Sequence, residues 1–105
     1  MPFYRYSVRL YVEHNTKTIR NAIKSALNND FYLSAWKNTH EFISSHFEIS
    51  IDDGESVCFY FNKKNTDKYF INSVIVPVMK NLGFKKLNYD IDDYKTGKTD
   101  TIYND

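Results

Sequence analysis

Cysteine is almost absent from this chain. Cys58 stands alone among 105 residues, so no intrachain disulfide can form. That excludes the small disulfide-stapled secreted domains and points to a reducing compartment. The N-terminal stretch MPFYRYSVRL also lacks the apolar core of a secretory signal. No apolar run approaches the ~18 residues of a membrane span; the longest patch is VIVPVM, residues 74–79. The expected localisation is cytoplasmic, with no membrane partner. Glycine (three) and proline (two) are scarce, and no linker or internal repeat appears. Charge of one sign is lacking too: 14 Lys+Arg face 13 Asp+Glu, a formal +1. The strong basic excess on which phosphate neutralisation rests is missing.

Motifs that name a reaction are also missing. TGKT at 96–99 resembles part of a phosphate-binding loop, but that loop needs a glycine five residues before Gly97, where Asp92 stands. DIDDYKTG at 90–97 fails as a calcium loop, because Tyr94 and Lys95 occupy the positions of a ligand and a glycine. His14, His40 and His46 show no metal-site spacing and there is no second cysteine, so neither a metal nor a cofactor is expected. Cys58 falls in the middle of a strand pattern, with no helix N-terminus to lower its pKa, so a thiol–imidazole pair with His40 or His46 is not favoured. The third strand reads SVCFYFNKK and lacks the Gly-aromatic signature of the RNA-recognition motif.

What the chain does have is rings. Aromatic residues make up 17%, with nine Tyr and eight Phe, and each ring buries a large area in a small core. Balanced charge and many rings describe a folded domain, not a disordered chain. One domain over residues 1–93 is expected, followed by a polar tail over 94–105 that is either mobile or a short edge strand.

Periodicity divides the chain. Tyr4, Tyr6, Val8, Leu10 and Val12 alternate with Arg5, Ser7, Arg9 and Tyr11, the period of a strand whose first set faces a core. Ile19, Ala22, Ile23, Ala26 and Leu27 make a helical stripe, with Asn15 or Thr16 as cap and Asn28-Asn29 at the exit. Residues 30–43 are ambiguous: Phe31, Leu33 and Ala35 suit a short strand, and a helix competes. Phe47, Ile49 and Ile51, then Val57, Phe59 and Phe61, form a hairpin around Gly54. Ile71, Val74, Ile75, Val78 and Leu82 give a second helix that Asn65 or Thr66 caps and Gly83 ends; Pro77 inside it predicts a kink or a helix start nearby. Leu87, Tyr89 and Ile91 mark a last strand.

The order β-α-(β)-β-β-α-β predicts an α+β fold. It is the ferredoxin-like split βαβ sandwich, an antiparallel sheet of four to five strands with two helices packed on one face. The other face is then open. Arg5, Arg9, Tyr11, Tyr60 and Lys86 are its candidate binding residues, and Trp36 is a candidate anchor. Lys17, Arg20 and Lys24 line the exposed side of the first helix. The arginines have two readings. One is a solvated mixed face with Arg9 paired to Glu48 or Asp90. The other is a platform, because Arg with exposed Tyr stacks bases and holds phosphates and is also enriched at protein-binding hot spots. Residues 1–86 carry a net charge of +4 and residues 87–105 a net −3.

With no catalytic constellation, the expected function is a small non-enzymatic protein-binding module, a regulator or inhibitor of the kind that phages and mobile elements encode. Nucleic-acid or nucleotide binding through the open sheet face is the alternative. An RNase-like enzyme using His14 or His46 is a remote third. A homodimer through the open face also fits a Tyr-rich sheet.

Overall fold

A computed structural model describes residues 4–27, 37–44, 47–62 and 71–104. The chain runs β1 (Tyr6–Tyr11), α1 (Thr16–Leu27), β2 (Glu41–Ile43), β3 (Phe47–Asp52), β4 (Ser56–Phe61), α2 (Asn72–Asn81), β5 (Tyr89–Asp93) and β6 (Thr99–Ile102). The fold is α+β. All six strands join one antiparallel sheet in the order β2-β3-β4-β1-β5-β6. The sheet is therefore wider than the four to five strands expected: β2 falls at the end of the ambiguous segment 30–43, and the tail forms a short edge strand, β6, one of its two readings. The outer strand β2 has three residues, E-F-I, and only Phe42 is buried, so it carries too little alternation to read in advance. Of the ambiguous segment 30–43, residues 30–36 lie outside the described residues and the end forms β2. The helix exit Asn28-Asn29 and the proposed caps Asn65 and Thr66 also lie outside them.

One face of the sheet makes the core. In the β1–β4 register Tyr6 faces Phe61, Val8 faces Phe59 and Leu10 faces Val57. Facing residues share a face, so alternate positions of both strands meet in one layer. Val8, Val57 and Phe59 are fully buried, and β3 adds Phe47 and Ile49. Tyr6 stacks on Phe61 with ring centroids 5.6 Å apart, and Phe42 on Phe47 at 6.0 Å. The helices close this layer: Ile19 and Ile23 of α1 and Val74, Ile75, Val78 and Met79 of α2 are buried in the same cluster.

Local chemistry sets the helix ends. Asn15 caps α1, its Oδ1 accepting the Thr18 N–H at 2.8 Å. In α2, Pro77 stands at the sixth helical position. The hydrogen bond it forfeits would end on the Ser73 carbonyl, in the first exposed turn. Gly83 terminates α2 at φ +87°. Its N–H donates to the Lys80 carbonyl at 3.1 Å and the Phe84 N–H reaches back to Met79 at 3.0 Å, which is a Schellman stop. Asn81 and His14 tie the helices together: Asn81 Nδ2 donates to the Ala22 carbonyl at 3.0 Å, and His14 Nε2 to that of Leu82 at 3.3 Å.

Candidate binding face

The side of the sheet away from the helices is set by the same alternation. Ser7, Arg9 and Tyr11 of β1 lie beside Tyr60, Cys58 and Ser56 of β4. Glu48, Ser50 and Asp52 of β3 flank them on one side, and Asp90 and Asp92 of β5 on the other. The floor is polar yet covered. Ser7, Ser56 and Cys58 are all buried. Ser7 Oγ donates to the Tyr94 hydroxyl at 3.0 Å, and Arg9 Nη1 donates to Ser56 Oγ at 2.8 Å. Burial pushes the Cys58 thiol up, and burial with that thiol alongside raises the neighbouring Tyr60 hydroxyl to about 12. Both stay protonated at neutral pH, so neither is a nucleophile or a base there.

Arg9 is exposed and turns to Ser56, not to Glu48 or Asp90. Burial, with the Glu48 carboxylate alongside, pushes the Tyr4 hydroxyl up. Tyr4 leans on Tyr60 with ring centroids 6.5 Å apart. Tyr11 projects into solvent at 77% exposure, and Tyr94 at 52%.

Arg5 is elsewhere. Extended alternation predicts Tyr4 in the core and Arg5 outward beside Arg9. The chain bends at residues 4 and 5, before β1 begins, and the two side chains exchange sides. The Arg5 guanidinium lies over the Tyr6 ring at 4.9 Å and pairs with Asp93, the cross-strand partner of Tyr6. Lys86 is exposed in a bend ahead of β5 instead of standing on that strand. Lys17 and Lys24 are exposed on α1 and Arg20 is half-buried there. These cations lie on the helix layer, across the molecule from Arg9. Trp36 lies outside the described residues.

Charge on the open face runs opposite to the emphasis on its arginines. Glu41, Glu48, Asp52, Asp90 and Asp92 share it with one described cation, Arg9. Asp90 and Asp92 are held by β6, whose Thr101 and Thr99 hydroxyls each donate to them at 2.7 Å.

The chain matches no protein-family model, no curated protein and no solved structure.

The described histidines have structural partners. His14 faces the end of α2. His40 Nε2 meets Asp53 Oδ1 at 2.8 Å and its Nδ1 meets Thr39 Oγ1 at 2.7 Å, while Thr16 also donates to Asp53. This joins the start of β2 to the β3–β4 turn and the first residue of α1. His46 lies outside the described residues. Among the described residues no three His, Cys, Asp or Glu side chains gather to hold a metal, and no helix is long and apolar enough to cross a membrane. Sequence reasoning missed Tyr94 and the buried serines. The spacing Asp90, Asp92, Tyr94 was the available signal, since it continues the outward parity of β5 into the turn.

Proposed function

We propose that this chain is a small protein-binding module, of the regulator or inhibitor kind, that uses its open sheet face. Its core is read as a ferredoxin-like split βαβ unit. The order β3-β4-β1-β5, with helices after β1 and β4, supports that reading, and β2 and β6 extend it at the edges. One observation carries the function: exposed Tyr11 and Tyr94 and half-buried Tyr4 and Tyr60 stand over a hydrogen-bonded polar floor on a face that no described helix covers. Rigid tyrosines give large contact area at low entropic cost, the composition of a protein-binding hot spot.

The nucleic-acid alternative is weaker on the same face. Phosphate binding draws its affinity from Lys and Arg, and among the described residues this face carries five carboxylates and one arginine. The test is a tagged pull-down from the native source with and without nuclease, run on the native chain and on Tyr11→Ala. The expected result is a near-stoichiometric protein that survives nuclease and is lost with Tyr11→Ala. Retention of nucleic acid alone, or of proteins unaffected by the substitution, overturns the reading.

A further inference from the structure

Among the described residues, charge differs in sign between the two helices and the open sheet face. Neither α1 nor α2 contains an Asp or Glu; their charged residues are Lys17, Arg20, Lys24 and Lys80. Lys17, Lys24 and Lys80 are exposed. Exposed Lys85 and Lys86 follow α2 directly. The open sheet face has the opposite sign, with Glu41, Glu48, Asp52, Asp90 and Asp92 against Arg9. The chain as a whole is near neutral at +1, so no net charge holds copies apart.

We propose that the open sheet face binds the helix layer of a second copy of this chain, head to tail. The proposal rests on reading that face as a protein-binding surface, and it names the occupant. A symmetric dimer through two open faces is disfavoured, because each would bring an excess of carboxylates against its own kind. The head-to-tail arrangement instead sets carboxylates on lysines. It is heterologous, so each copy keeps one free acidic and one free basic face, and association proceeds to short open chains. The acidic rows of β3 and β5 are three strand spacings apart, about 14 Å, close enough for adjacent helices of one layer to meet both. The whole sheet face measures about 24 by 18 Å from strand spacing and strand length. That is below the roughly 800 Å² per partner of a standard interface, so the association is weak and salt-sensitive.

The experiment is analytical ultracentrifugation of the full chain at about 20 mM and about 300 mM salt. Two charge variants are compared, Asp90→Lys/Asp92→Lys on the sheet and Lys17→Glu/Lys24→Glu on the helix layer. At low salt the native chain gains mass with concentration, and at high salt it is monomeric. Each variant alone loses this association. Mixed, the two form a one-to-one complex, because the intact basic layer of the first meets the intact acidic face of the second. A native chain that stays monomeric at low salt overturns the proposal. So does association that survives the helix substitutions, which indicates a symmetric contact. If self-association fails while a foreign protein is captured through Tyr11, the proposal falls and the protein-binding reading stands. If Tyr11-dependent capture also fails, both fall.

Discussion

Arg5 grips both carboxylate oxygens of Asp93, Nε at 3.0 Å and Nη2 at 2.9 Å. The residues are 88 positions apart, and the pair joins the entry of β1 to the exit of β5. The backbone repeats the tie: the Arg5 carbonyl accepts the Tyr94 N–H at 2.8 Å and its own N–H donates to Asn62 Oδ1 at 2.9 Å. Bidentate geometry gives such a pair its direction. Arg5 is thus a clamp on three segments of the sheet.

Asp93 makes stability depend on acid. Arg5, aided by the N–H groups of Lys95 and Thr96, holds its carboxyl well below the ordinary 3.8. A depressed folded-state value means that this stabilisation is complete above the unfolded carboxylate range. It is lost as pH falls through that range toward the folded value. In urea titrations at a series of pH values, the native midpoint should fall more steeply below about pH 4 than that of Asp93→Asn. Equal acid slopes would show that the clamp contributes nothing.

Asn15 offers a second test. It caps α1, whose first turn holds no acidic residue. Asn15→Ala should cost about 1 kcal/mol in chemical denaturation. Asn15→Asp should match or exceed the native chain, because it keeps the acceptor and adds a negative charge at the positive end of the helix dipole. A stable Ala variant would refute the capping role.

The parts of the fold that were legible beforehand are those where one period runs uninterrupted. Ile19 to Leu27, Val57 to Phe61 and Tyr89 with Ile91 fell where their spacing put them, because burial acts on every residue of such a stripe. The Gly54 turn was equally plain, and its φ of +70° explains the glycine. The misplacement of Tyr4 and Arg5 has the opposite cause: alternation holds only while the chain is paired as a strand, and β1 starts at Tyr6. Phe42 alone could not announce β2. On the open face, the outward positions of Glu48 and Asp90 were readable, but the buried state of Ser7, Ser56 and Cys58 was not. That depends on Tyr60, Tyr94 and Arg9 folding over them, which alternation does not encode.

Alkaline pH probes the tyrosine cover. Burial, with Cys58 alongside, raises Tyr60 from 10.0 to about 12. A folded value above the unfolded one gives stabilisation that is full below pH 10 and lost as pH rises toward the folded value. The native denaturation midpoint should therefore decline between about pH 10 and 12 more steeply than that of Tyr60→Phe. Matching profiles would mean that Tyr60 is solvated in the folded chain.

Asn104 joins the C-terminal residues to the body of the fold. Its Nδ2 donates to the Leu87 carbonyl at 2.9 Å, and its N–H donates to Asn88 Oδ1 at 3.0 Å. Its Oδ1 accepts from Asn72 at the start of α2 at 3.0 Å, and Asn72 in turn accepts the Tyr89 hydroxyl at 2.6 Å. Burial raises the Tyr89 hydroxyl above its ordinary value, so it remains a donor at neutral pH. Through this chain of partly buried bonds, β6 is held by α2 as well as by its ladder to β5. Asn104→Ala strands the Leu87 carbonyl and the Asn72 amide together, so it should cost about 1–3 kcal/mol, more than a surface substitution. Amide exchange should then quicken across β6 while β1 stays protected, because an edge strand opens locally before the core does. The effect should shrink when Asn72→Ala is already present, since the two share one bond. A cost of only a few tenths of a kcal/mol with unchanged exchange would mean that the ladder alone holds β6. Asp90 and Asp92 take their hydrogen bonds from Thr101 and Thr99, so loosening β6 should also free the acidic flank of the open face.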